Sequence, residues 1–282
     1  NLEEKADWLV ENIRKNEWIQ DGDKGWFNGY YDNHGRPVEG KRDNHVRMML
    51  TGQVFSVMGN VADDAQTAAI TKSADLYLYK KEVGGYRLNT DFKEEKFDLG
   101  RMFGFAYGEK ENGAVFSHMT VMYANALYQR GFVKEGYRAL YTLLEQAMNT
   151  PVSLMYPGIP EYFDADGKGK YPYLTGAASW YMMTMVTQIF GFRGEWGDLV
   201  LEPKILLRQF DESGNYSAQF PFRGQTYAVV YQNPQKKEYG DYRITEVWLD
   251  GQRYAGETNT GICIPFAVLE GKENHTLRIV LG

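Results

Sequence analysis

Apolar residues recur at helical spacing from the second position onward, with Leu2, Ala6, Leu9, Val10 and Ile13 on one face of a helix predicted over 2–15. The same period predicts helices over 46–58, 63–79, 116–130, 134–148 and 176–190. Asp63 or Asp64 suits the positive end of the third helix, Gly131 stops the fourth, and Gly191 closes the last. Polar loops lie between them. Residues 21–40, with Trp26, Phe27, Tyr30 and Tyr31 among Gly, Asn and Asp, read as turns or a short hairpin, and 151–172 is a Pro and Gly cluster. Beyond residue 198 the pattern changes to short β-branched or aromatic runs at 199–201, 216–220, 227–231, 244–249, 262–266 and 276–281. Turn sequences divide them, and Asp250-Gly251 is the strongest hairpin signal. The chain is therefore expected to be mostly α and then β: helix pairs packed side by side over 1–197, followed by an antiparallel β-sandwich over 198–282.

Composition narrows the function more than the fold. With 282 residues, 43% hydrophobic and 15% aromatic, the chain can bury a sizeable core, which excludes disorder, collagen and coiled coil. Thirty-one Lys and Arg against 37 Asp and Glu give a formal charge of −6, with no basic stripe to meet a phosphate backbone, so nucleic acid is not an expected partner. The longest apolar stretches, 46–59 and 180–192, are interrupted and fall short of the ~20 residues that span a bilayer, so no membrane association is expected. One cysteine, Cys263, rules out a disulfide framework, and a cytoplasmic location is expected. The chain opens at Asn1 without Met, basic n-region or apolar signal segment, as though entered partway through.

Four histidines, at 34, 45, 118 and 275, show no metal-ligand spacing, and no metal site is expected. Neither a nucleophile elbow nor a phosphate-cradling glycine loop is present. Two segments stand out. Gly108-Glu109-Lys110-Glu111-Asn112-Gly113 leads through Ser117-His118 into a helix, and reads either as a solvated helix start with His118 bonded in the core or as a ligand site. Tyr173-Leu174-Thr175-Gly176-Ala177-Ala178-Ser179-Trp180 reads either as an ordinary Thr175 cap or as a helix N-terminus whose open N–H groups take an anion. Trp26, Tyr30, Tyr31, Tyr107, Tyr156, Tyr162, Phe163, Tyr171 and Tyr173 suit stacking on sugar rings and equally suit packed turns. Glu161, with Asp164 and Asp166, could be paired carboxylates for glycosidic acid–base work, although Asp164-Ala165-Asp166-Gly167 also reads as a turn.

The segments Lys110 through His118, Tyr173 through Trp180, and Ile189-Phe190-Gly191-Phe192-Arg193 through Gly197-Asp198-Leu199-Val200-Leu201-Glu202-Pro203 resemble the C-terminal part of the inverting disaccharide phosphorylases. That family, glycoside hydrolase family ninety-four, includes cellobiose, chitobiose, cellodextrin and laminaribiose phosphorylases and the phosphorylase-like domain of cyclic β-1,2-glucan synthases. Trp26-Phe27 through Tyr31-Asp32-Asn33-His34-Gly35 is similar to its aromatic loop. The resemblance implies that 1–197 is the C-terminal half of an (α/α)6 toroid and 198–282 its C-terminal β-sandwich. It implies attack of inorganic phosphate, as co-substrate and with no cofactor, on a terminal β-glucosyl unit, giving α-glucose 1-phosphate with inversion. By motif position His118, Thr175 and Gly176 would bind phosphate. Lys110 would meet the acceptor sugar, with Glu111, Tyr107 and Glu161 on the substrate side; Glu161 stands near a position that often carries Gln.

The family's general acid, an Asp in a Trp-Asn-Asp-like stretch before the aromatic loop, has no counterpart here, and neither does its phosphate-binding Arg; both are expected upstream of Asn1. Asp21, Asp23 and Asp32 are the early candidates, and each falls downstream of the expected place. Half a toroid would also leave an apolar flank whose exposure costs on the order of 10 kcal/mol. The expected partners are thus a β-glucoside, phosphate and the N-terminal remainder of the enzyme, in the same chain or as a separate one, with a homodimer as a further candidate. The alternatives are a non-catalytic carbohydrate-binding remnant and an (α/α)6 hydrolase using water.

Overall fold

The computed structural model describes residues 1–42, 45–156, 158–172 and 175–282, and these form two compact units, Asn1–Tyr181 and Met182–Gly282. Five helices dominate the first: α1 (Leu2–Glu17), α2 (Leu50–Met58), α3 (Asp64–Tyr77), α4 (Ser117–Gln129) and α5 (Val133–Met148). A short α6 (Thr150–Ser153) follows, and α7 (Ala177–Thr184) runs across the division between the units. Small hairpins and sheets fill the connections: β1 (Trp18–Asp21) with β2 (Lys24–Phe27), β3 (Gly40–Arg42) with β4 (His45–Arg47), β5 (Tyr79–Lys80) with β6 (Gly85–Tyr86), and the three-stranded β7 (Val115–Phe116), β8 (Tyr162–Phe163) and β9 (Gly169–Lys170).

Local chemistry explains most helix ends. The Asn1 side chain accepts from the N–H groups of Glu3 and Glu4, and Asp63 forms a reciprocal box with Gln66. At the end of α4, Gly131 takes φ 79°, its N–H donates to Tyr128 O, and Phe132 N–H donates to Leu127 O. That pair of bonds is a Schellman stop, and only a residue tolerant of positive φ fits it. The three residues between α4 and α5 turn the chain back on itself, and Gly136 keeps the helices close: a Cβ there would stand 2.7 Å from the Tyr128 ring.

One helix is shorter than its apolar pattern. Residues 46–58 were expected to be wholly helical, but His45–Arg47 pairs with Gly40–Arg42 as a strand, and α2 begins only at Leu50. Pairing decides this: Met49 is extended, and Leu50 N–H donates to Leu88 O at 2.7 Å. The core of the unit is built from Trp26, Leu50, Val54, Ile70, Tyr86 and Tyr123, all buried. Each fully buried side chain of this size contributes roughly 1.5–3 kcal/mol.

In the second unit, β10 (Phe192–Glu195), β11 (Asp198–Leu201) and β16 (Ile262–Ile264) form one sheet. The other follows the order β12 (Asn215–Phe222), β13 (Gln225–Gln232), β17 (Asn274–Leu281), β14 (Ile244–Leu249), β15 (Gln252–Tyr254), and a single turn α8 (Phe266–Leu269) precedes β17. The wholly antiparallel arrangement expected from sequence is corrected here, because β13 and β17 run parallel, from Thr226 opposite Asn274 to Gln232 opposite Val280. Phe192 stacks on Phe220 at 4.8 Å across the two sheets. Asp250 and Gly251 both take positive φ, 52° and 80°, as a type I′ turn requires. The expected domain boundary at 197/198 falls in the turn between β10 and β11.

Gly191 ends the helical run after a π-type turn, Met185–Ile189. It sits at φ 64°, and a Cβ there would lie 1.9 Å from Glu202 O. Gly191→Ala is therefore expected to destabilise the second unit by about 3 kcal/mol or more, since a rigid backbone atom must move. A urea titration of the variant against the parent checks it.

Candidate functional site

The start of α4 is fixed by backbone. Ser117 N–H donates to Glu161 O at 2.9 Å, and Glu161 N–H in turn reaches Tyr171 O at 2.9 Å, so the short β7–β8–β9 sheet holds the first turn of the helix. His118 is the next residue. Its ring lies directly against the glycine that precedes α7: a Cβ on Gly176 would stand 2.6 Å from His118 Cε1, 2.9 Å from Nδ1 and 3.0 Å from Nε2. Trp180, one turn farther along, faces the imidazole at 5.6 Å. Nε2 is buried and has no hydrogen-bond partner among the described residues. Burial lowers the pKa of this histidine, so the ring is neutral at pH 7. Among the described residues, Nε2 does not make the carbonyl bond of the alternative reading.

Thr175 stands beside this pair. Its hydroxyl oxygen accepts from Ala177 N–H at 3.1 Å, and as a hydroxyl it keeps a proton to donate. Helical residues that follow are small, Ala177 and Ala178, so the backbone of the turn is approachable. Tyr173 and Leu174, which begin this motif, lie outside the described residues, as does Pro157 of the Pro and Gly cluster.

The second group of candidates lies in the loop before β7. Lys110 occupies a positive-φ position and holds its ammonium 4.3 Å from the Tyr171 ring centroid. Tyr171 faces Tyr162 at 6.0 Å, Tyr162 stacks on Phe116 at 6.2 Å, and Phe116 directly precedes Ser117 and His118. Tyr162 also donates to Glu109 at 3.2 Å, which with burial pushes its phenol pKa up. The structure thus links Lys110 to the start of α4 through three aromatic rings. Glu111 pairs with Arg101 at 3.2 Å, leaving its Oε2 buried without a partner among the described residues. That carboxylate borders a cavity of about 290 Å³ with Tyr30, Met49, Leu99, Arg101 and Met102, close to the lower end of ligand-site sizes.

Two other candidates make contacts within the fold. Tyr107 packs its ring on Gly113 and donates from its hydroxyl to Asn89 O at 3.2 Å. Tyr107→Phe is expected to lower stability by about 1 kcal/mol, the usual worth of one such bond, as read by chemical denaturation. Glu161 contributes through its backbone. Asp164 closes the turn that was its simpler reading, accepting from the N–H groups of Asp166 and Lys168 and pairing with Lys170 at 3.1 Å. Asn89 went unnoticed in the sequence, where nothing marks a lone Asn; it is fully buried, and its Oδ1 accepts from Gly113 N–H while its Nδ2 reaches Asn112.

A proton donor is harder to find. Asp21 is held below the usual carboxylate range by hydrogen bonds from Lys41 and Tyr77, and Asp23 by Lys72 and Lys24. Asp32 is lowered to about 2 by the Arg36 backbone N–H, helped by the His34 N–H and the Arg36 guanidinium, which together outweigh desolvation. Carboxyls fixed as anions are poor acids toward a leaving oxygen. Among the described residues no group of three or more His, Cys, Asp and Glu could hold a metal, and no helix is long and apolar enough to cross a membrane.

Residues 1–191 match the catalytic domain of the glycosyl hydrolase 94 superfamily. The chain belongs to that superfamily. Within it, the chain is 24% identical over 264 residues to solabiose phosphorylase of Paenibacillus borealis, covering 91% of this chain and 33% of that one. It is 27% identical over 245 residues to cellobionic acid phosphorylase of Neurospora crassa (80% and 29%), and 24% identical over 220 residues to the cyclic β-(1,2)-glucan synthase NdvB of Rhizobium meliloti (74% and 8%). The chain spans about a third of the length of the first two relatives. Among solved structures, a sialidase aligns with a TM-score of 0.54 at 14% identity, over 92% of this chain and 23% of that one, a likeness of fold alone.

Proposed function

We propose that this chain supplies the phosphate and acceptor side of a glycoside phosphorylase site, acting on a β-linked glucosyl disaccharide or oligosaccharide. The reading rests above all on His118 lying against Gly176 with its Nε2 buried and without a hydrogen-bond partner among the described residues. A buried imidazole nitrogen facing a small-residue helix start leaves a polar group in want of an anion, and a helix N-terminus favours one. Phosphate there would accept from His118, from the Thr175 hydroxyl and from the Gly176 N–H.

In the reaction, a phosphate oxygen forms a bond to the anomeric carbon as the glycosidic C–O bond breaks on the opposite face. The leaving oxygen takes a proton from a carboxylic acid. Phosphate replaces water as nucleophile, so no second carboxylate is needed as base. The fixed anionic states of Asp21, Asp23 and Asp32 support an acid contributed by polypeptide beyond these residues. The cavity beside Glu111, with Lys110 nearby on the same loop, is proposed to take the acceptor sugar.

We further propose that the helices form half of an (α/α)6 toroid completed by preceding polypeptide. α1 buries none of its residues, and Leu2, Trp8 and Leu9 on it are 86%, 61% and 51% exposed. An amphipathic helix with an uncovered apolar side is what a ring closed by further helices would leave. Product analysis of the intact protein tests the function: incubated with phosphate and a β-glucosyl disaccharide, it should release α-glucose 1-phosphate. Free glucose from both halves would favour hydrolysis by water, and sugar binding without turnover would favour a binding remnant.

A further inference from the structure

Glu39 is 2% exposed, yet among the described residues no cation pairs with it. Its Oε1 accepts from Gly29 N–H at 2.9 Å and its Oε2 from Met49 N–H at 2.7 Å, while its own N–H donates to Asn28 Oδ1 at 3.2 Å. The two acceptor bonds reach different parts of the fold, the aromatic loop and the residue that precedes α2. The loop and the helix are in close contact here: a Cβ on Gly29 would lie 3.2 Å from the Gly52 Cα and 3.4 Å from the carboxyl oxygen itself. Tyr30 follows Gly29, and Tyr30 and Met49 are two of the walls of the 290 Å³ cavity that Glu111 borders.

We propose that Glu39 is a positioning residue, a proton-sensitive latch that holds the Tyr30 loop against Met49 and so sets the shape of the cavity. The effect on sugar rests on the reading of that cavity as the acceptor site. The neutral acid still accepts through its carbonyl oxygen and gives up part of the second N–H bond, a loss outweighed by the cost of a charge buried without a counter-ion, so ionisation of Glu39 favours the opened loop and protonation the closed one. Burial outweighs the two N–H bonds and pushes the carboxyl up to about 8, which brings the transition into an accessible range. Neighbouring charges are already engaged. On the loop, Tyr31 donates to Glu17 and Arg36 pairs with Asp32. On the β3–β4 hairpin, Lys41 pairs with Asp21, Arg47 with Glu94, and Arg42 donates to Pro37 O; His45 has its Nε2 buried with no hydrogen-bond partner among the described residues, and Asp43 lies outside them. α2 carries no titratable side chain.

Carbon-13 NMR of the intact protein labelled at glutamate carboxyls tests the latch, with Glu39→Gln assigning the resonance. One carboxyl should titrate near pH 8, and the amides of Gly29 and Met49 should shift with the same midpoint. A Glu39 carboxyl that titrates below pH 6, or amides that stay fixed through its titration, would overturn the proposal; where the variant folds poorly, through-bond correlation of the carboxyl to the Glu39 backbone makes the same assignment in the parent protein. Glucose affinity, measured by calorimetry, should weaken by about three- to tenfold between pH 7 and pH 9 and stay level in Glu39→Gln. Amides that follow the titration while glucose fails to bind at any pH would uphold the latch and refute the acceptor reading of the cavity.

Discussion

Replacing His118 by alanine is expected to weaken inorganic phosphate binding by about ten- to a hundredfold while leaving the protein folded. A hydrogen bond to a charged group is worth about 1.5–3 kcal/mol, and each 1.4 kcal/mol is a factor of ten. The imidazole is half-buried and touches Trp180, so its loss removes a donor from the site without opening a large void in the core. Gly176→Ala should produce a comparable loss by a different route. Its methyl carbon would need the space now held by the His118 ring, 2.6 Å away at the nearest atom, so the imidazole must swing aside. The two effects share one cause and should not add: in a His118→Ala background, Gly176→Ala should change phosphate affinity by less than about twofold. Calorimetric titration of the four proteins with phosphate measures the cycle. Full additivity would mean that glycine and histidine act on phosphate independently.

Stability is expected to fall as pH rises from 6.5 to 8, and Glu39 is the reason. Its folded pKa of about 8 lies above the ordinary 4.5, so the folded protein holds this proton over a range where the unfolded chain has released it. Unfolding then releases a proton, and its free energy declines with pH until the folded pKa is passed. Over this window of 1.5 pH units the decline is about 2 kcal/mol at 1.36 kcal/mol per unit, and smaller to the extent that the loop opens and hydrates the carboxylate. His118 works in the opposite sense, because its lowered pKa adds stability as pH rises toward its ordinary value; starting at pH 6.5 keeps most of that out of the window. Urea unfolding at pH 6.5, 7.25 and 8 should show the slope in the parent and its loss in Glu39→Gln. An equal slope in both would assign it elsewhere.

How much of this was legible in the chain follows from the range of the interactions involved. Asp63, Gly131 and Asp250-Gly251 act on their immediate neighbours, and each does in the structure what its residue type dictates. The strand at His45–Arg47 was hidden because its partner is another short segment and because Val46, Met49 and Leu50 also fit a helical stripe. The parallel pairing of β13 with β17 joins residues some fifty positions apart, and an alternating pattern carries no sign of strand direction. For the site, the motifs named His118 and Gly176 separately, and only the fold places the ring on the glycine. Lys110 gave no hint of Tyr171 as its contact. Glu39 was beyond reach: in Pro37-Val38-Glu39-Gly40 it looks like an exposed loop acid, and its burial is set by Gly29, Met49 and Gly52 from distant turns.

The central claim is that His118 and the opening turn of α7 together hold an inorganic anion. It is tested most directly by following the imidazole nitrogen and carbon-bound proton signals of His118 by NMR as phosphate is added to the intact protein at pH 7, with the backbone amide of Gly176 read in the same titration. The account predicts that both move saturably with one dissociation constant, and that His34, His45 and His275 stay still. A His118 signal unmoved by phosphate, or one that moves while the Gly176 amide does not, would contradict it.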